Sequence, residues 1–255
     1  MNEHSSHSSD VVSRWRWNRP QHEISHEGFS ANGLVVKKWV AQTNPATDVR
    51  WKVGVFAGIH GDEPAGVRAA HILHRWATTL PAELFGYELH LYPACNPSGL
   101  KEGTRTNQRG FDINREFWCG SNLPEVQYIE TELRQEKYDI ILSLHEDDTS
   151  HGLYGFVSGS MLSENILRPA LLAASTYLPI NTDPVIDGFA ARDGMIQDGY
   201  HGVLSAPPEQ RPRALEIVFE TPRLAPLNHR AMASAVAVKT ILKEYRQYQS
   251  HQENL

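Results

Sequence analysis

Short apolar runs alternate with amphipathic stretches along most of the chain. The runs Val53–Ala57 and Tyr138–Leu144 are short and rich in residues that favour strands, so they predict buried strands. Apolar positions at helical spacing predict a helix from Pro64 to Trp76, where the proline fits the first turn. The same patterns predict further strands over 33–40, 87–92, 153–157 and 214–219, and further helices over 124–136, 163–178 and 227–248. Strands that alternate with helices indicate an α/β sandwich with a largely parallel sheet.

Several polar segments interrupt this pattern. Residues 1–30 are rich in Ser, His, Asn and Glu, and we expect them to form a polar tail or surface-wrapping segment before a single domain over 31–250. Residues 44–48 predict a turn. Residues 99–123 form a long polar loop, and such loops inside a compact domain are usually functional. Residues 181–213 contain many Gly, Pro and Asp, predict no secure element and are expected to build the pocket that selects a substrate.

Composition excludes several classes of protein. A net charge of -6 over 255 residues does not suit a nucleic-acid surface. No apolar run is long enough to span a membrane, and the N-terminus lacks a signal-peptide pattern, so we expect a cytoplasmic protein. Cys95 and Cys119 are too few for a disulfide framework.

Polar side chains that could perform chemistry follow three of the apolar runs. His60 and Glu63 come after the first, His145 directly follows the second, and Glu220 ends a third. Sites in open α/β sheets gather at the carboxyl ends of strands, so we expect these groups to meet. One zinc ion per chain would take His60, Glu63 and His145, with the fourth position open to water. Glu220 could then accept a proton from that water and pass it to a leaving amine.

The long loop supplies the positive charge that such a site needs. One arginine near the metal would stabilise the oxyanion of a tetrahedral intermediate, and a second could bind a substrate carboxylate through two hydrogen bonds. The polar residues that the loop offers for these tasks are Lys101, Arg105, Asn107, Arg109, Asn114 and Arg115.

An ordered set of motifs resembles the zinc carboxypeptidase family. This family includes metallocarboxypeptidases, murein-peptide amidases and the succinylglutamate desuccinylase/aspartoacylase branch. The five matches extend from about residue 50 to residue 222, which is most of the chain. They are His60-x-x-Glu63, Asn96-Pro97-Ser98-Gly99, Arg105-x-Asn107-x-x-Gly110-Phe111-Asp112-x-Asn114-Arg115-x-Phe117, Leu144-His145 and Phe219-Glu220.

The resemblance implies a fold and a set of roles. The fold would be a three-layer sandwich around a mixed sheet of about eight strands, with the catalytic domain over 31–250. His60, Glu63 and His145 would bind zinc, and Glu220 would act as general base and acid. The resemblance implies that Arg105 polarises the scissile carbonyl, and that Asn114 and Arg115 hold a free substrate carboxylate.

Several residues compete for these roles. Glu216 is the alternative to Glu220, but it begins its strand and is expected to face solvent. Arg109 is the alternative to Arg105, with a solvated or rim position expected for it. Asn114 and Arg115 could instead brace the loop through hydrogen bonds to backbone carbonyls. The tyrosine that such enzymes place over the substrate has no clear counterpart, and Tyr200 is supported only by its distance before Glu220.

Three functions follow from the sequence. The first is a carboxypeptidase-type zinc hydrolase that cleaves an amide next to a free carboxylate. The second is a deacylase of N-acyl amino acids, which is less favoured because only about one helix follows Glu220, whereas aspartoacylase-like proteins commonly carry a further β domain. The third is a zinc-binding scaffold without turnover. The acidic run Glu146–Asp148 is expected to favour a basic or amino-bearing substrate, and Asp147 and Asp148 are expected to form a solvated face or pocket rim.

Overall fold

An eight-stranded mixed sheet forms the centre of the structure, which is a computed structural model describing residues 24–31, 34–42, 49–198 and 203–252. The strands occur in the order β1-β2-β4-β3-β5-β10-β6-β9 across the sheet. They are β1 (Ile24–Ala31), β2 (Leu34–Gln42), β3 (Trp51–Ala57), β4 (Tyr87–Tyr92), β5 (Ile140–Asp147), β6 (Tyr154–Val157), β9 (Met195–Ile196) and β10 (Leu215–Pro222). Strands β7 (Val185–Ile186) and β8 (Phe189–Ala190) form a separate antiparallel pair.

The four central strands β4, β3, β5 and β10 run parallel to one another. Antiparallel pairings of β2 with β4 and of β6 with β10 flank this group. Because β3, β5 and β10 are parallel neighbours, their carboxyl ends lie together at one edge of the sheet. The predicted α/β sandwich with a mixed sheet of about eight strands is confirmed.

Helices cover both faces of the sheet. On one face, α1 (Pro64–Thr79), α5 (Arg168–Ala174) and α6 (Leu227–Gln252) pack against the side chains of alternate residues of β3, β5 and β10, such as Val55, Leu142 and Ile217. On the other face, α3 (Pro124–Glu136) packs against the intervening residues, such as Phe56 and Ile141. Alternation along a strand therefore decides which layer each side chain joins. The remaining helices are α2 (Pro97–Glu102), α4 (Ser160–Leu162), and 3-10 helices at Pro81–Leu84 and Ile113–Arg115.

The structure differs from the sequence-based elements in three places. A strand begins at Ile24, within the segment predicted to be a tail, although the division into 1–30 and 31–250 otherwise stays a prediction. The helix predicted over 163–178 runs instead from α4 through a π-helical turn (Ser163–Leu167) into α5, and ends at Ala174. The segment 181–213 contains β7, β8 and β9, whose two-residue lengths leave no periodic signal.

Some sequence-based predictions fall outside the described residues. These are the turn at 44–48, Tyr200 and most of the segment 1–30. Within the described ranges, no helix is both long and apolar enough to cross a membrane.

Candidate active site

The turn between β3 and α1 carries two of the predicted metal ligands. Gly58 begins this turn with a φ of +62°, a backbone conformation that residues with a Cβ atom rarely adopt. Gly61 packs directly on the backbone of Gly99. A Cβ atom at position 61 would lie 1.9 Å from the Gly99 carbonyl carbon, so only glycine fits there. Glu63 is the last residue before α1, whose first position is proline. This tight turn points the side chains of His60 and Glu63 into the protein, where both are buried.

His145 completes a buried group with these two residues. Its Nδ1 lies 3.0 Å from Glu63 Oε2, and His60 Nδ1 lies 2.6 Å from Glu63 Oε1. One ligand atom from each of the three side chains lies within 4.8 Å of the others. Two imidazoles and a carboxylate that converge in this way match the donor set of a hydrolytic zinc site with an open position. The described residues therefore fit the metal that the sequence predicts.

The charges of this group are strongly coupled. Burial alone would raise the pKa of Glu63, but the charges and hydrogen bonds of His145 and His60 lower it below its usual range. Burial alone would lower the pKa of His60, but hydrogen bonds to Asp112 and Glu63 raise it. The carboxylate of Glu63 is thus stabilised in its charged form, as a metal ligand must be.

Asp112 holds His60 from its other side and had no predicted role. His60 Nε2 lies 3.1 Å from Asp112 Oδ1, so the imidazole is held between two carboxylates. Arg105 approaches Asp112 Oδ2 through Nε at 3.1 Å and through a terminal nitrogen at 3.0 Å. Burial raises the pKa of Asp112, but His60 and Arg105 more than offset this effect and lower it. The only sequence signal for Asp112 was its position between Arg105 and Asn114.

The structure brings Arg105 towards the predicted metal ligands and gives Arg109 other contacts. A terminal nitrogen of Arg105 lies 3.8 Å from Glu63 Oε1, and half of the Arg105 side chain is exposed. Arg109 instead contacts Asn122 at 3.4 Å and the ring of Phe111. Of the two competing arginines, Arg105 is therefore the one beside the predicted metal ligands.

Asn114 and Arg115 lie in the 3-10 helix that follows Asp112. Asn114 is buried, and its Oδ1 accepts a hydrogen bond from the backbone N–H of Leu204 at 3.1 Å. The Asn114 side chain therefore holds the backbone at Leu204 by accepting an N–H, whereas the alternative predicted from the sequence was a hydrogen bond to a backbone carbonyl. Arg115 is exposed. Its positive charge favours the ionised form of Asp187, which lies in the turn between β7 and β8.

Hydrogen bonds from buried amides fix the shape of the long loop. Asn107 Oδ1 accepts the N–H groups of Arg109 and Phe111, and its Nδ2 donates to Glu125 at 2.7 Å. Asn96 caps α2 by accepting the N–H of Gly99. The loop therefore has a defined conformation with little regular secondary structure, and it can position Arg105 and Asp112.

Glu220 stands beside His145 on the neighbouring parallel strand, in direct register with it. Its Oε2 is buried and has no hydrogen-bond partner among the described residues. Burial raises the pKa of Glu220 well above its usual value, and the charges of Glu63, Asp147 and Asp187 raise it further. Burial and these neighbouring charges therefore make Glu220 harder to ionise than an exposed glutamate.

Tyr154 lies near the Glu220 carboxylate. It is a second candidate, after Tyr200, for the tyrosine that such enzymes place over the substrate. It is buried and pairs with Glu220 from the adjacent strand β6. Its hydroxyl donates to Asp147 Oδ2 at 2.8 Å. No sequence pattern marked Tyr154, because its place beside Glu220 depends on the pairing of β6 with β10.

The acidic run after His145 does not act as one surface. Glu146 is buried and points to the opposite face, where Oε1 accepts the N–H of Ala65 at 2.5 Å and Oε2 pairs with Arg230. Alternation along β5 directs Glu146 to α1 and α6, on the face of the sheet opposite the predicted metal ligands. Glu216 was expected to face solvent, but it is half-buried and accepts the N–H of Ala206 at 2.9 Å.

Residues 50–180, which are 131 of the 255 residues, match the family model of the succinylglutamate desuccinylase/aspartoacylase catalytic domain. The chain belongs to this family. The matched range of this desuccinylase/aspartoacylase family member contains His60, Glu63, Asp112 and His145, whereas Glu220 lies beyond it. A search of curated proteins found no matching sequence.

Solved structures share the fold of this desuccinylase/aspartoacylase family member. A protein of Shewanella baltica OS155, provisionally named a metallopeptidase, has a TM-score of 0.71 and 21% identity, covering 86% of this chain and 85% of that one. A protein of Shewanella denitrificans OS217 with the same provisional name has a TM-score of 0.71 and 22% identity, covering 86% and 82%. A metallo-carboxypeptidase of Pseudomonas aeruginosa, in complex with (2-guanidinoethylmercapto)succinic acid, has a TM-score of 0.64 and 19% identity, covering 84% of this chain and 62% of that one.

Proposed function

We propose that this chain is a zinc-dependent hydrolase that cleaves an amide bond next to a free carboxylate, as a carboxypeptidase does. The observation that carries the proposal is the convergence of His60, Glu63 and His145 at one buried point, with Glu220 in register beside His145. One zinc ion held by these three side chains would supply a Lewis acid that activates water and polarises the substrate carbonyl.

Glu220 is the proposed general base and acid. Its position in register beside His145 suits a carboxylate that first accepts a proton from the attacking water and then gives it to the leaving amine. Arg105 is the proposed partner of the developing oxyanion, because its guanidinium lies beside Glu63 and is oriented by Asp112. These two residues approach the metal ligands from different elements, the loop and β10.

Asn114 and Arg115 are proposed to bind the free carboxylate of the substrate. Because Asn114 uses its oxygen to accept the N–H of Leu204, its amide nitrogen is oriented as a donor. The ligand of the Pseudomonas carboxypeptidase is a succinic acid derivative with free carboxylates, which is consistent with a substrate of this type. The substrate would be a peptide or an acylated amino acid. Cytoplasmic residence stays a prediction from the sequence.

A deacylase of N-acyl amino acids is the second candidate function. The observation that favours it is the family model, which names the succinylglutamate desuccinylase/aspartoacylase catalytic domain. The same residues would serve both reactions, since both cleave an amide near a carboxylate. Only a comparison of peptide and N-acyl amino acid substrates can therefore distinguish the two functions.

The test combines metal content with hydrolysis of two matched substrate sets. Wild-type protein is expected to hold about one zinc per chain and to hydrolyse N-blocked dipeptides, with activity abolished by a chelator and restored by zinc. Glu220→Gln is expected to keep its zinc while hydrolysis falls by about 10²–10⁴-fold, the usual contribution of a general base. Glu209→Gln, at an exposed carboxylate, is the matched control.

Each other outcome has a distinct meaning. Hydrolysis of N-acyl amino acids alone would replace the carboxypeptidase by the deacylase. Zinc binding without hydrolysis of either substrate set would favour the third function, a zinc-binding scaffold without turnover. Undiminished zinc in both Glu63→Ala and His145→Ala would overturn the proposed metal site.

A further inference from the structure

The first turn of α1 needs a hydrogen-bond acceptor that its own residues do not supply. The first four N–H groups of a helix have no partner within the helix, and nearby carboxylates are attracted to them. Within the described part of the chain, the N-cap residue Glu63 makes no side-chain capping hydrogen bond, and no acidic residue lies in the first turn. Oε1 of Glu63 faces His60 and Oε2 faces His145. The carboxylate next to the helix is therefore directed to the predicted metal ligands and not to the helix.

A carboxylate from another element supplies the missing cap. Glu146 on β5 accepts the backbone N–H of Ala65, the second residue of α1, through Oε1 at 2.5 Å. The first turn of α1 lies close enough for this bond because Gly66 packs on β5. A Cβ atom at position 66 would lie 3.0 Å from the carbonyl oxygen of Leu144. Glu146 therefore satisfies a helix N-terminus from the strand that also carries His145.

Arg230 near the start of α6 balances the charge of this cap. Its guanidinium contacts Oε2 of Glu146, whose side chain is fully buried. A buried carboxylate without a partner would be strongly destabilising, so the arginine allows a charged group to remain at this position. Together, Glu146 and Arg230 form a buried unit on the face of the sheet opposite the predicted metal ligands.

Glu63 and Ala65 make competing demands on one short segment. The N–H of Ala65 is fully buried, so without Glu146 it would lose its acceptor and could not turn to water instead. The carboxylate of Glu63, two residues away, is the nearest group in the sequence that could replace it. A Glu63 side chain turned towards α1 would leave His60 and His145 without the carboxylate that they now share.

We propose that Glu146 is a positioning residue of the metal site. By capping α1 in place of Glu63, it keeps the Glu63 carboxylate directed at His60 and His145. Glu146 itself contacts neither the metal nor the substrate. The inference rests on the proposed function, because a fixed Glu63 carboxylate matters for activity only if it binds the metal.

The test compares two double variants that differ only in the cap. Both carry Arg230→Met, combined with either Glu146→Gln or Glu146→Leu, so both replace the buried ion pair without leaving a charge unpaired. The glutamine oxygen can still accept the N–H of Ala65, whereas leucine cannot. Zinc affinity, measured by competition with a chromogenic chelator, is expected to stay near wild type in the glutamine variant. In the leucine variant it should fall by about 2–30-fold, the range for loss of a side-chain N-cap.

Two controls separate this role from a purely structural one. Urea unfolding of the metal-free proteins shows that both variants fold, and loss of stability alone would not change the affinity of the folded protein for zinc. His145→Ala measures zinc held by other histidines of the chain. If the leucine variant does not fold, Glu146→Met with Arg230→Met repeats the comparison with a side chain of the length of glutamine.

Crystal structures of the metal-free variants test the inference independently of zinc. The Glu63 carboxylate is expected to turn from His145 to the N–H of Ala65 in the leucine variant and to stay in place in the glutamine variant. If wild type binds no zinc, the proposed function fails, but this movement of Glu63 would still support the cap. An unmoved Glu63 in the leucine variant, or zinc affinities that do not differ between the two variants, would overturn the inference.

Discussion

At the scale of single residues, Asp112 links two functions that the sequence assigned to separate side chains. One of its oxygens contacts His60 and also accepts the N–H of Asn114, while the other holds the guanidinium of Arg105. A carboxylate behind a metal-binding imidazole fixes the orientation of the ring and makes it a stronger ligand. Asp112 is therefore expected to influence both metal affinity and the position of Arg105.

Replacing Asp112 with Asn keeps the shape of the side chain and removes its charge. We expect zinc affinity to fall by about 10–100-fold, the usual effect of losing such a partner, and kcat to fall as Arg105 is released. Competition with a chromogenic chelator measures the affinity. Asp148→Asn, at an exposed residue after β5, is the control, and an equal loss in both variants would contradict this role.

At the scale of elements, a second charged network ties α3 to β2 and β3, on the face of the sheet that carries the candidate site. Lys38 on β2 donates to Glu132 at 2.6 Å and to Glu136 at 2.8 Å, and Lys52 on β3 donates to Glu136 at 2.8 Å. Burial alone would raise the pKa of Glu136, but the hydrogen bonds from Lys38 and Lys52 lower it to about 2. With Glu88 and His90, Glu136 also forms a group that could hold a metal, but two lysine side chains already neutralise its carboxylates.

This network makes stability depend on acid pH. Because the pKa of Glu136 is lower in the folded state, its stabilisation is complete above about pH 5 and is lost as pH falls towards 2. Glu136→Gln should lower the free energy of unfolding at pH 7 by about 1.5–3 kcal/mol, typical of hydrogen bonds to charged groups, and the difference from wild type should shrink towards pH 2.

Urea unfolding at several pH values measures the difference between the two proteins. Glu102→Gln, at an exposed carboxylate, should show no comparable loss. A difference between wild type and Glu136→Gln that stays constant from pH 7 to pH 3 would rule out this origin.

At the scale of the whole molecule, the proposed metal site joins distant parts of the chain. Glu63 lies in the turn before α1 and His145 lies on β5, 82 residues later. A ligand that binds only the folded state stabilises it, by about 2.7 kcal/mol at a concentration one hundred times its Kd. Removing zinc should therefore destabilise the whole domain and not only the site.

A chelator is expected to lower the Tm of the zinc-loaded wild type by about 5–10 °C, given about 2–4 °C per kcal/mol for a chain of this size. His145→Ala should melt at a temperature that the chelator does not change. His151→Ala, at an exposed histidine, should respond as wild type does. Differential scanning calorimetry with and without chelator makes the comparison, and a chelator-insensitive wild type would argue against the site.

The sequence predicted the elements whose signal is local. The apolar runs of β3, β4 and β5 and the proline at the start of α3 gave these elements to within a few residues. Features that depend on tertiary pairing were missed. The polar strand β1 is defined by its pairing with β2, and the two-residue strand β9 by its pairing with β6.

The same distinction applies to the candidate site. His60, Glu63, His145 and Glu220 could be found because each follows or ends an apolar run, and the structure brings the first three together beside the fourth. The face on which a side chain lies could not be found so directly. Glu216 was misplaced because the burial of a strand residue depends on which layer covers its face of the sheet, and the sequence of the strand does not show that layer.

Adjacent residues of β5 therefore have incompatible destinations. His145 must face Glu63, whereas Glu146 must face Ala65 and Arg230 on the other side of the sheet. A shift of β5 by one residue would turn every side chain to the other face, placing either Glu146 at the proposed metal site or His145 against the buried guanidinium, depending on its direction. The contacts of His145 and of Glu146 together fix the register of β5 against its neighbouring strands. The apolar residues of β5 could not do so, because they are similar on both faces. An insertion or deletion inside β5 would therefore break one of these two contacts unless a bulge absorbed the extra residue.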